Sequence, residues 1–215
     1  IPSSLERGEG TQGALSWQAA RVDGITNGGA AVDMLAGAET VIANLSSYKG
    51  PDPTWARGDG IGADSFDVSA EEDQSLNAEV KHKAETLDFL AFGQTGLLPG
   101  LQTQAVMETG TVNLTHVAKT VALDGSFERP VVLAWVVTEN GAQPVNVRLS
   151  EVTGNSVTMA LQEPDHLDGN HKDETVHYAV VEQGRWMLND GTLLEAGATK
   201  TDLLSTEGFK PVAFG

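Results

Sequence analysis

From Val145 to Ser150 the chain alternates apolar and polar residues, with Val145, Val147 and Leu149 on one set of positions and Asn146, Arg148 and Ser150 on the other. A period of two is that of a strand with one packed face and one polar face. Apolar runs at 131–137, 157–161 and 176–181 predict further strands, and turn residues such as Glu139-Asn140-Gly141 separate them. Residues 76–91 imitate an amphipathic helix, but the second half of that stretch aligns with the strand-like run at 176–181.

That alignment is part of an internal repeat. Residues 41–72 lie over 132–163 without a gap at a constant offset of 91, so that Val41/Val132, Ala43/Ala134, Gly50/Gly141, Pro53/Pro144, Arg57/Arg148, Ser65/Ser156 and Glu72/Glu163 coincide. The offset then falls to 89, and His82-Lys83-Ala84-Glu85-Thr86 meets His171-Lys172-Asp173-Glu174-Thr175. A length change confined to the segment between the Glu and the His is that of a surface loop. Repetition with strand periodicity predicts an all-β chain of two tandem antiparallel β-sandwich modules of about six strands each, spanning 14–98 and 106–192. Residues 191–197 echo 104–110, and 208–212 echo 126–131, so the remaining segment 193–215 reads either as a closing strand or as the start of a third repeat.

The second unit carries Thr109-Gly110-Thr111-Val112, Phe127-Glu128-Arg129-Pro130-Val131-Val132, Val147-Arg148-Leu149-Ser150-Glu151-Val152 and Val176-His177-Tyr178-Ala179-Val180-Val181. This order of strands resembles the H-type lectin domain, and the recurring acidic loop with His-x-x-Glu-Thr is similar to modules repeated in large secreted bacterial proteins. The resemblance implies a short antiparallel sandwich, an extracellular or cell-surface location and carbohydrate recognition.

Composition removes several alternatives. Thirty acidic against 13 basic residues give a net charge of −17, which repels nucleic-acid phosphates and anionic lipid. No apolar run reaches the roughly 18 residues of a membrane span, so no membrane insertion is expected. The absence of cysteine excludes disulfides, thiolate zinc sites and a cysteine nucleophile.

The candidate chemistry lies in the polar identities that the two copies share: Arg57, Glu72, His82 and Glu85, and Arg148, Glu163, His171 and Glu174. A guanidinium beside carboxylates and an imidazole suits bidentate recognition of a diol or carboxylate, and it equally suits a buried network that pins a loop. Trp55, next to Tyr48, is the candidate aromatic for stacking on a sugar. Glu163, Asp165, Asp168 and Glu174 in the second unit, and Glu71, Glu72, Asp73, Glu79 and Glu85 in the first, supply hard oxygens that would suit calcium. The His-x-x-Glu spacing also fits a metal, but residues three apart on a strand point to opposite faces. No catalytic triad, phosphate loop or HExxH motif occurs, and no enzyme is expected. Arg148 is expected to anchor the polar loop through Glu163. The expected function is a non-catalytic extracellular binding or adhesion module for carbohydrate or another surface polymer. The alternative is a structural repeat that self-associates into an oligomer, filament, fibre or coat through β-strand contacts.

Overall fold

A computed structural model describes residues 4–12, 15–99, 105–188, 191–203 and 208–215. Among the described residues the chain is all-β, with sixteen strands and no helix. The first half forms a four-stranded antiparallel sheet in the order β1-β2-β7-β4 (Ser4–Gln12, Leu15–Ile25, Glu85–Phe92, Thr40–Leu45). A three-stranded sheet, β3-β6-β5 (Ala30–Asp33, Ser65–Glu72, Thr54–Ile61), packs against it. The second half forms the sheets β8-β9-β14-β11 (Gly96–Pro99, Ala105–Leu114, Glu174–Glu182, Pro130–Val136) and β10-β13-β12 (Lys119–Ala122, Ser156–Gln162, Asn146–Val152). A hairpin, β15 (Gly184–Met187) with β16 (Leu193–Ala196), follows. The segment at 76–84 is irregular and contains no helix, because its apolar residues Leu76 and Val80 face solvent and have nothing to pack on.

The repeat offsets hold at the level of register. Asn44 lies opposite Asp88 as Trp135 lies opposite His177, and Arg57 lies opposite Ser69 as Arg148 lies opposite Ala160. Both β5 and β12 carry an irregularity at matching places, Gly58/Gly60 and Leu149/Glu151. β8, inside the first expected span, is hydrogen-bonded to β9 of the second, and β1 extends the first sheet on the N-terminal side of residue 14. β16 pairs with β15, and among the described residues 193–215 adds no strand to the sheets of the second half.

Alternating side chains fill each core. Val22, Ile25, Val32, Val41, Phe66, Val68, Leu87 and Phe89 are buried in the first half. Leu114, Val136, Val145, Val157, Met159, Leu161, Val176 and Val180 are buried in the second. On β12 the expected packed face holds only in part. Val145, just before the strand, is buried and Val147 half-buried, but Leu149 is 37% exposed, because β12 is a sheet edge that turns away at its bulge.

The outer face of β8-β9-β14-β11 is covered by the first half. β14 is therefore buried on both faces, with Val176, Tyr178 and Val180 in its own core and Ala179 in the core of the first half. Trp135 plugs the open edge of the first sandwich: its ring meets Phe66 edge-on at 5.5 Å, and its Nε1–H donates to the Ala56 carbonyl at 2.9 Å. The Val41 amide, on the outer edge of β4, donates to Nδ1 of His177 at 3.0 Å. Gly58 is needed for this closeness, since a Cβ there would lie 2.8 Å from both the Val136 carbonyl oxygen and Val137 Cα. Two of the four edge strands of the first half, β4 and β5, are thus covered at the joint, which removes there the usual hazard of an open sheet edge.

Candidate functional site

The polar residues shared by the two copies, apart from the arginines, form one arrangement built twice. β7 begins at Glu85 and β14 at Glu174, so the histidine three residues earlier still lies in the preceding loop and is free to turn back onto the strand's first residue. Nε2 of His82 is 3.1 Å from Glu85 Oε1 and Nδ1 is 2.6 Å from Glu72 Oε1. In the second copy Nε2 of His171 is 3.1 Å from Glu174 Oε1 and Nδ1 is 2.8 Å from Glu163 Oε1. Each imidazole thus bridges two glutamates, one at each ring nitrogen. The opposite-face objection to His-x-x-Glu therefore does not apply, because only the glutamate is on the strand.

Each strand-end glutamate also gathers the loop that crosses above it. Glu85 accepts from the Ser47 hydroxyl, from the Lys49 amide at 2.7 Å and from the Gly50 amide at 2.9 Å. Glu174 accepts from the Thr138 hydroxyl at 2.6 Å, the Asn140 amide at 3.0 Å and the Gly141 amide at 2.8 Å. The histidine ring lies on the glycine of that loop, and a Cβ on Gly141 would come within 2.7 Å of His171 Nε2; Gly50 stands in the same place over His82. Hence the glycine, both glutamates and the histidine persist together. Glu85 and Glu174 are fully buried, and Glu72, Glu163, His82 and His171 are nearly so.

Burial alone would raise the Glu85 carboxyl, but the bonds from Ser47, Gly50, Lys49 and His82 outweigh it and hold the group down at about 2. Glu174 is likewise lowered against the effect of burial, by the Asn140 amide, the Thr138 hydroxyl, the Gly141 amide and the charge of Arg57. Burial pushes His177 down to about 4, and its Nδ1 accepts the Val41 amide, which a neutral ring can do.

The two arginines part company. Arg57 is buried and crosses the joint: Nη2 donates to Glu174 at 2.9 Å, Nε donates to the Thr138 carbonyl at 3.0 Å, and Nη1 lies 3.5 Å from Glu71. Glu71, whose carboxyl burial pushes up, also accepts from Trp55 Nε1 at 2.7 Å and from the Val145 amide at 3.1 Å. Arg148 is exposed, and among the described residues no ion pair joins it to Glu163. The expectation that Arg148 anchors the polar loop is therefore corrected. Glu163 is taken by His171 and the Gly169 amide, and Arg148 has no counterpart of the neighbouring sandwich to enter.

Trp55 is half-buried and lines a shallow groove of about 330 Å³ with Asp73, Asn146, Arg148, Gln162 and Asp165. Tyr48 packs edge-on against Phe209 at 5.7 Å, and its hydroxyl donates to the Pro51 carbonyl. Of the residues named for calcium, Glu163 and Glu174 face His171, Asp165 is exposed, and Asp168 caps the Asn170 amide at 2.9 Å. Among the described residues, no group of three or more His, Cys, Asp or Glu side chains is placed to hold a metal ion.

Several buried polar residues were not singled out from sequence. Ser47 lies over Thr138 at the same offset of 91, which was a usable signal. Gln18 and Glu108 are equivalent at an offset of 90, and each accepts a loop amide, Leu35 at 2.5 Å and Gly125 at 2.9 Å. His177 and Trp135 have Asp88 and Asn44 as counterparts, so comparison of the copies does not single them out. Comparison with protein-family models, curated proteins and solved structures finds no match to this chain.

Two outcomes follow. Arg57→Ala strips Glu174 of a buried charge partner and is expected to cost about 3 to 5 kcal/mol, whereas the exposed Arg148→Ala costs about 0 to 1 kcal/mol; urea unfolding of both variants checks the contrast. The second concerns pH. His177 is depressed from 6.5 to about 4, so its share of stability is complete above pH 6.5 and lost as pH falls through 4. Glu85 is depressed from 4.5 to about 2, so its share is complete above pH 4.5 and lost as pH falls through 2. Unfolding free energy is expected to decline across both windows, and His177→Gln, which keeps an acceptor for Val41, flattens the upper window relative to the unsubstituted chain. Equal slopes in both proteins between pH 6.5 and 4 would remove His177 from the account.

Proposed function

We propose that the chain is a non-catalytic structural repeat, a pair of sandwiches that serves as a building block of an extracellular assembly made of copies of itself. The observation that carries this reading is the burial of the polar residues that the two copies share, Arg148 apart. Glu85 and Glu174, the groups that would serve as acid or base, are fully covered and already accept bonds from loop amides, a hydroxyl and an imidazole. Residues so engaged hold loops and joints, and none is open to a substrate or a sugar.

A second reading, carbohydrate recognition as in H-type lectins, is favoured by the groove at Trp55. There Trp55, Arg148 and Gln162 line one surface groove, a set of side chains suited to a sugar ring and its hydroxyls. Light scattering over a rising concentration series, paired with a glycan array, separates the two. Growth of the average mass with no glycan retained is the expected result. A monomer at every concentration that binds a glycan, and loses it on Trp55→Ala, would overturn the structural reading in favour of the lectin one.

A further inference from the structure

β12 is a sheet edge with almost nothing on it. Its residues Asn146, Arg148, Leu149, Ser150, Glu151 and Val152 are all exposed, including two apolar side chains, Leu149 at 37% and Val152 at 40%. Its counterpart β5 is covered, because the outer face of β8-β9-β14-β11 lies against it. The counterpart of that covering face is the outer face of β1-β2-β7-β4. It is taken up in part, where Trp17 and Leu90 pack with Val181, Leu194 and Ala196, but Asn44 is exposed and Asp88 half-exposed, beside a groove of about 480 Å³ lined by Arg21, Ile42, Asn44, Asp88 and Leu90 together with Leu133 of β11. The chain thus contains one edge-on-face joint already made, one bare edge, and one face exposed at the place that matches Trp135 of the made joint.

Resting on the structural reading above, we infer that the β12 edge of one molecule docks on the outer face of β1-β2-β7-β4 of a second copy of this chain. Bulk at the two joints is exchanged in a complementary way. At the internal joint the edge residue is small, Gly58, and the face residue is large, Trp135, whose Cη2 would lie 3.1 Å from a Cβ on Gly58. At the outer joint the edge residue at the position of Gly58 is Leu149, and the face residue at the position of Trp135 is Asn44, beside a largely apolar groove. Leu149 fills the space that the smaller Asn44 leaves. Arg148 then points at the loop holding Ser47 and Glu85, as Arg57 points at the loop holding Thr138 and Glu174.

The contact joins two different surfaces, so it does not close on itself as a dimer; each added copy presents a fresh edge and a fresh face. This gives a stringent test by sedimentation velocity. Leu149→Asp disables the edge and Asn44→Arg disables the face; both residues are exposed, and circular dichroism verifies that each variant folds, with Val152→Asp as a second edge variant. The unsubstituted chain is expected to grow in mass with concentration, each variant to stay monomeric, and an equimolar mixture of edge and face variants to form a one-to-one dimer and nothing larger, since one good edge and one good face remain. If the unsubstituted chain assembles and both variants assemble equally well, the inferred surfaces are wrong while the structural reading stands. If the unsubstituted chain stays monomeric at every concentration, that reading fails together with the inference.

Discussion

A carboxylate taken out of water must recover its hydrogen bonds from the protein or lose its charge. Glu85 and Glu174 are taken out completely, and each recovers its bonds from two successive loop amides, a hydroxyl and a histidine ring. The cost of burial is what gives the arrangement its specificity. Any displacement of the loop at 47–50 or 138–141 leaves a buried charge short of donors, so the loop, the strand end and the histidine hold one another in place. The second glutamate, Glu72 or Glu163, fixes the ring from its other side and ties in the sheet across the sandwich. A glycine, a hydroxyl residue, two glutamates and a histidine are enough to lock the open end of a sandwich that has no disulfide and, among its described residues, no group of side chains placed to hold a metal.

In the second copy the same glutamate also receives Arg57 from the first sandwich. One buried acid thus stabilises a loop and a joint together, and the acceptance of Trp135 into the core of the first half makes that joint continuous with a hydrophobic interior. The sheet containing β14 separates two cores and faces water on neither side along most of that strand. That is why β14 is apolar on both faces where a lone sandwich would alternate, and why it also carries a histidine whose imidazole is held neutral by burial.

The sequence was informative wherever the two copies agree. Strand periodicity and the offsets of 91 and 89 locate the all-β fold and pair Gly50, Glu72, His82 and Glu85 with their equivalents. It was silent on which side of the chain each group faces. Arg57 and Arg148 are identical in sequence position, yet one is buried because the other sandwich lies on it and the other is exposed because nothing does. The alternation at 145–150 suggested a packed face for Leu149, but no pattern within a strand reports that the strand is an uncovered edge. Trp135 reads from sequence as core or strand filler, and it is buried, but nothing in the pattern marks it, His177 or Gly58 as part of the joint, for the opposite reason. They serve the contact between the copies, which, apart from Arg57 and Glu174, is made by residues that differ between the copies.

The most direct measurement of the lock is amide hydrogen exchange at Lys49, Gly50, Asn140 and Gly141, which lie in loops and outside every sheet ladder. If the buried glutamates hold these loops, those amides exchange as slowly as the amides of β7 and β14, opening only when the sandwich unfolds. Exchange at the rate of an exposed turn, with β7 and β14 still protected, would contradict the claim that these carboxylates secure the fold.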